Sequence, residues 1–118
     1  MAGLVDAGKN LMLDGLATGV TFVSLHTADP STDGSNEVSG GSYARKAPSW
    51  ASAASGSVAT DANIVFDVPG STTITHLGYW SASTSGTFYG SRALDTSQTY
   101  ATAGTYTIAS GNLTETIT

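Results

Sequence analysis

The hydrophobic period changes once, near residue 20, and that break restricts the chain to a helix followed by strands. Between Leu4 and Leu16 the apolar positions Leu4, Val5, Leu11, Met12 and Leu16 recur at helical spacing, while Asp6, Lys9, Asn10 and Asp14 fall largely on the opposite side. The pattern predicts an amphipathic helix over residues 1–18 with Leu4, Val5, Leu11 and Met12 on its apolar face. Gly8 weakens such a helix by roughly 0.5–1 kcal/mol relative to Ala, and Gly15 or Gly19 is placed to end it in a left-handed cap.

From Val20 onward the apolar blocks are short and rich in β-branched and aromatic residues. Residues 20–26, Val-Thr-Phe-Val-Ser-Leu-His, form the first predicted strand, bounded by Gly19 and the turn-forming Asp29-Pro30 pair. Residues 27–41 hold turn formers and almost nothing to bury, so a long exposed loop is expected there. Loops of that length are usually functional or disordered. Further strands are predicted over 42–50, 57–60, 63–68, 72–80, 86–93, 97–102, 105–109 and 112–117. In the 72–80 strand, alternation places Ile74, His76, Gly78 and Trp80 on one face and Thr75, Leu77 and Tyr79 on the other. Pro48 puts the 42–50 strand at an edge or a bulge. With no second helix and no fixed repeat, the expected fold is mainly β: a single antiparallel β-sandwich, jelly-roll or immunoglobulin-like, preceded by a short N-terminal α-helix. Residues 1–118 are expected to form one domain, with the helix at 1–18 and the sandwich at 20–118.

Composition narrows the function classes. Ser, Thr, Ala and Gly make up over half of the 118 residues, and only 11% are charged, against about 25% in an average protein. The four basic residues, Lys9, Arg45, Lys46 and Arg92, against nine acids leave a net charge of −5. That balance cannot neutralise a row of phosphates, so nucleic acid is not an expected partner. There is no cysteine, hence no disulfide framework, thiolate nucleophile or Cys-rich zinc site. No apolar run approaches the ~20 residues that cross a bilayer, and no basic region precedes an unbroken apolar segment, so neither a membrane span nor Sec export is expected. Two Trp, five Tyr and three Phe, with 40% hydrophobic residues overall, oppose disorder.

Few residues form a chemical constellation. The stretch Gly40-Gly41-Ser42-Tyr43-Ala44 lacks the last glycine of a nucleophile elbow. Both His26 and His76 lie in predicted strands, where a local hydrogen-bond partner is the simple expectation. Asp29, Asp33, Asn36 and Glu37 are the candidate Ca²⁺ ligands, although their order is not that of an EF-hand and a self-bonded loop is the plainer reading. No phosphate-binding glycine motif is present. Trp50 and Trp80, with Tyr79 and Tyr89, are candidate sugar-stacking rings, with core packing as the simpler use. Asn112-Leu113-Thr114 matches a glycosylation sequon by three residues, which carries little without an export signal.

The segment order Ala-Gly-Leu-Val-Asp-Ala-Gly-Lys-Asn-Leu-Met-Leu-Asp (2–14), Val-Ser-Leu-His-Thr-Ala-Asp-Pro (23–30) and Asn-Glu-Val-Ser-Gly-Gly-Ser-Tyr-Ala-Arg (36–45) resembles a family of small virion proteins of tailed bacteriophages and prophages, commonly labelled tail-fibre proteins. Ile-Thr-His-Leu-Gly-Tyr-Trp (74–80), Gly-Thr-Phe-Tyr-Gly-Ser-Arg-Ala-Leu (86–94) and Ala-Ser-Gly-Asn-Leu-Thr (109–114) continue it along nearly the whole chain. The resemblance implies a non-enzymatic structural protein without a cofactor, made in the bacterial cytoplasm and resident on the virion. The implied partners are major capsid or tail proteins, with a homo-oligomer on the particle.

Within that class the expected role is a capsid decoration or cement subunit whose termini and loops are held by neighbours. A tail-fibre or tail-tip subunit, and a host-receptor or carbohydrate-binding module using Trp50 and Trp80, are the alternatives. The expected subunit contacts are Leu4, Val5, Leu11 and Met12 on the helix, Asp29, Asp33 and Glu37 on the loop, and Tyr43, Arg45 and Lys46 just after it. The basic pair is suited to an acidic partner, or simply to deterring pairing at an exposed edge.

Overall fold

The computed structural model describes residues 3–117; residues 1, 2 and 118, which include both expected ordered termini, lie outside them. Helix α1 (Asp6–Gly19) is followed by β1 (Phe22–His26), β2 (Ser57–Ala59), β3 (Ile64–Val68), β4 (Thr72–Trp80), β5 (Phe88–Tyr100), β6 (Gly104–Ile108) and β7 (Thr114–Thr116). All strand pairs are antiparallel. They form a three-stranded sheet in the order β1-β4-β5 and two ribbons, β2-β7 and β3-β6.

Two departures from the predicted strands have clear causes. The stretch 42–50 is not a continuous strand; its backbone forms the isolated bridges Val23–Lys46 and Trp50–Thr60. Pro48 supplies no N–H for a ladder. The two strands expected at 86–93 and 97–102 are one long β5, because no glycine or proline interrupts 91–100.

The main core lies between the sheet and the β3-β6 ribbon. Val23 and Leu25 of β1, Ile74, Leu77 and Tyr79 of β4, Ile64, Phe66 and Val68 of β3 and Ile108 of β6 pack there, joined by Val20, Val38 and Leu113. Alternation in β3 is clean, with Val65 and Asp67 outward. In β4 it fails beside the register shift between Ile74 and His76: Ile74 belongs to the same buried cluster as Leu77 and Tyr79. Strict alternation places it with Trp80 instead.

A second, smaller core covers the other face of the sheet. Ser24 and His26 stand opposite Gly78 and His76 in the register, and both are fully buried. Their cover is the 27–41 segment, which is less empty than its composition suggests: Pro30, Gly34 and Val38 are buried. It folds back along β1, with the Thr27 N–H donating to the Asn36 carbonyl at 2.9 Å and the Val38 N–H to the Leu25 carbonyl at 2.9 Å. This return closes the outer edge of β1, as burial of both faces requires.

Helix α1 lies on the 51–59 region with an unexpected face inward. Leu13 is its buried residue, and two polar side chains fasten it: Asn10 Oδ1 accepts from the Gly56 N–H at 2.9 Å, and Asp14 Oδ1 from the Ala53 N–H at 2.8 Å. Neither Gly15 nor Gly19 adopts a left-handed conformation. The helix ends instead on Val20, whose N–H bonds the Leu16 carbonyl at 2.8 Å.

One buried polar group has no partner among the described residues, the Thr60 hydroxyl. Burying a hydroxyl without a hydrogen bond costs about 1–3 kcal/mol. Thr60→Val, nearly the same shape, is therefore expected to raise stability by about 1 kcal/mol, seen as a higher urea midpoint at unchanged slope.

Candidate functional site

The residues that carry the segment pattern meet around one guanidinium. Arg45 donates from Nε and one terminal nitrogen to the two Glu37 oxygens, at 3.0 and 2.9 Å. Its other nitrogen donates to the Ala82 and Ser85 carbonyls at 3.0 and 2.9 Å. The flat cation also lies 3.7 Å from the centroid of Trp80, a favourable cation–π stack. Its side chain is only 8% exposed. Tyr43 completes the group by donating to Glu37 at 2.8 Å while accepting the Leu25 N–H at 3.0 Å.

Beneath Trp80 the polar chain continues inward. The indole N–H donates to Ser24 Oγ at 2.8 Å, and Ser24 lies 2.6 Å from His26 Nε2. His26 Nδ1 is 2.8 Å from the Ser35 carbonyl. A carbonyl can only accept, so Nδ1 carries the proton and Nε2 accepts from the Ser24 hydroxyl. Burial is the largest influence on this imidazole and holds its pKa below the ordinary value, outweighing the Ser35 carbonyl and the Glu37 charge that favour protonation. Glycine is required twice here. A Cβ on Gly78 would overlap Ser24 and His26, and Gly34, at φ +77°, sits against the Trp80 ring. Phe88 stacks at 5.1 Å on the same indole.

Serine and histidine at 2.6 Å share the contact of a nucleophile and its base, yet both residues are fully buried. No substrate reaches them, so the pair acts as structure. His76 likewise has a local partner, Thr75 Oγ1 at 2.8 Å.

The same geometry shows what several of the residues expected at subunit contacts or a cation site do within the chain. Glu37, Tyr43 and Arg45 are spent on one another, so Arg45 neither reaches for an acidic neighbour nor guards an edge. Lys46 pairs through its backbone with Val23 at 2.8 and 3.0 Å. Asp29 and Asp33 each accept a backbone N–H two residues on, from Ser31 at 2.8 Å and Ser35 at 3.1 Å, and the Asn36 amide donates to the Asp29 carbonyl. Asp29, Asp33, Asn36 and Glu37 thus shape their own loop. Among the described residues no three His, Cys, Asp or Glu side chains converge on a cation.

Trp80 offers no free ring face, and Trp50 is partly covered. Trp80 is 7% exposed, and Trp50 is half-buried edge-on against Tyr79, with its N–H directed at the Val20 carbonyl. Tyr79 in turn donates to Glu115 at 2.6 Å. Tyr89 is the exposed member of the candidate rings.

The accessible feature is the outer side of α1. Val5, just ahead of it, is 72% exposed, Leu11 76% and Met12 45%; Leu4 is half-buried beside Gly8. These are the residues that periodicity assigns to a core-facing stripe, and the fold turns Val5, Leu11 and Met12 outward. Asn10 and Asp14, expected on the wet side, hold the helix down. Among the described residues no helix is long and apolar enough to cross a membrane.

A family model described as podophage GP4 fiber I protein gp80 matches residues 6–116, from the first residue of α1 to the last of β7. The whole Arg45 network falls inside that match. No curated protein matches the chain.

Removing Arg45 leaves Glu37 partly buried and unpaired, and loss of one member of a buried pair typically costs about 3–5 kcal/mol. Arg45→Ala is expected to destabilise by about 3 kcal/mol, and Arg45→Lys by less, because lysine keeps the charge but not the two-pronged contact. Stability should also fall with acid. Burial raises the Glu37 pKa, but the hydrogen bonds from Arg45 and Tyr43 and the Arg45 charge outweigh it and hold it below the usual value. Its contribution is complete above the unfolded pKa of 4.5 and is lost as pH drops through the folded value. His26, also lowered, resists a proton that the unfolded chain accepts below 6.5, so the loss begins there. Urea midpoints between pH 8 and pH 3 should be flat, then fall from about 6.5 downward and further in the carboxylate range; a midpoint unchanged from pH 7 to pH 4 would contradict the assignment.

Proposed function

Since the chain belongs to the podophage GP4 fiber I protein gp80 family, and so is a virion-associated structural protein related to fibres, we propose that it is a non-enzymatic assembly subunit that docks on a neighbouring virion protein through the outer face of α1. The observation behind this reading is the exposure of Leu11 and Met12 on a helix already fastened from behind by Asn10 and Asp14, with Val5 exposed just ahead of it. Covering a Val, Leu or Met side chain gains roughly 1.5–3 kcal/mol each, and the helix need not leave its own body to be covered. The docking unit is the chain as one domain, in several copies on the particle.

Two positions on the virion suit such a subunit. The family's description favours a fibre or its base, and we adopt that position. A capsid decoration subunit, the role expected within the class for a subunit whose termini and loops neighbours hold, has the low charge of the chain in its favour, since 11% charged residues suit a surface packed against neighbours.

Particles assembled without the protein and then supplied with it test both points. The wild-type chain is expected to join the particle, with electron microscopy placing its label on the fibres. Leu11→Asp/Met12→Asp should keep the wild-type urea midpoint and be absent from purified particles. Normal incorporation of the double variant would sink helix docking, and label spread over the head would move the protein to the capsid.

A further inference from the structure

We propose that a hollow beside the bulge of β5 is a binding site for a neutral saccharide. Along the β4–β5 ladder Ile74 pairs with Gln98 and His76 with Ala93, so the four residues Leu94 to Ser97 stand opposite Thr75 alone. Bulges of this kind re-aim side chains and recur next to functional sites. Here the extra residues line, together with β6 and residues 112–113, a cavity of about 440 Å³. That lies within the range of small-molecule sites, about 300–1,000 Å³.

The lining has the chemistry of a sugar. Leu77, Ile108 and Leu113 are buried and form an apolar floor, and Tyr106 presents a half-buried ring beside it. Around these stand Asp95 and Asn112, planar groups that can bond neighbouring hydroxyls two at a time, with Arg92 and with Gln98, whose amide donates to the Thr96 carbonyl at 3.3 Å. Elsewhere the chain spends its asparagines on its own backbone: Asn10 and Asn63 accept from Gly56 and Ser110, and Asn36 donates to Asp29. Among the described residues Asn112, the Asp95 carboxylate and the Tyr106 hydroxyl have no side-chain hydrogen-bond partner within the chain, and all three face this cavity.

Charge and backbone narrow the occupant further. Arg92 is held by the Thr114 carbonyl and by Glu115, which leaves no cluster of cations for a phosphate. An extended peptide would add to a regular sheet edge, and the bulge interrupts the alternation of N–H and C=O groups that an added strand needs. A neutral ring with hydroxyls on its rim and C–H groups on its face matches the hollow. The inference does not depend on helix docking, because the two surfaces share no residue.

The full chain applied to an array of bacterial oligosaccharides is expected to bind a neutral glycan, and NMR titration with that glycan should shift the signals of Leu94, Tyr106 and Asn112. Asn112→Ala and Asp95→Ala, at exposed positions where the fold survives, should each weaken binding about tenfold, whereas Asp61→Asn, an exposed carboxylate outside the hollow, should not. Absence of any glycan bound, binding that survives both variants, or shifts confined to other residues would overturn the proposal.

Discussion

The Arg45 guanidinium joins segments that are distant along the chain. It grips Glu37 at the return of the 27–41 segment, the carbonyls of Ala82 and Ser85 in the turn after β4, and the Trp80 ring at the end of that strand. A single point charge could not do this. A flat cation with five donors can satisfy a carboxylate on one edge, two carbonyls on another and an indole on its face. What it secures is the second core. Without that cover Ser24 and His26 would face water, and the sheet would have a single dry face.

The network also explains why its members are small where they are small. Gly78 leaves room for Ser24 and His26 on the neighbouring strand, and Gly34 lets the loop settle onto the indole. The polar groups inside form a closed sequence of donors and acceptors from Trp80 through Ser24 and His26 to the Ser35 carbonyl. Low dielectric strengthens such a sequence only when each member is satisfied. The two edges of the sheet are treated differently as a result. β1 is sealed by the returning segment, and β5 is left open but bulged, which disfavours pairing with another strand while creating a concave surface.

Much of the architecture was legible in the chain. The single helix, the strands at 57–60, 63–68, 72–80 and 105–109 and the antiparallel β class follow from period and turn residues, which are local properties. The site was legible only as a set of residues. Glu37, Tyr43, Arg45 and Trp80 were identifiable as candidates, yet their roles were reversed: groups assigned to partners and ligands hold the interior. Neither Arg45 nor Trp80 carries a local mark of its partner, since the two meet only through loop closure. Ser24 and Gly78, which complete the group, have no motif at all. The polar residues around the β5 hollow were invisible for a related reason, because a bulge is set by the mismatch between two strands and not by either alone.

Helix α1 shows the division most directly. Spacing of Leu4, Val5, Leu11, Met12 and Leu16 determined that residues near the N-terminus would be helical and amphipathic, because backbone geometry fixes which side chains share a face. Which face turns inward was decided by tertiary contacts: Asn10 and Asp14 met unpaired N–H groups at Gly56 and Ala53, and Leu13 found the interior. The sequence by itself determined the elements, their antiparallel class and the shortage of charge. The tertiary structure alone decided which apolar groups stay exposed and which polar groups are buried, since a buried polar group is tolerated only where a distant segment brings it a partner.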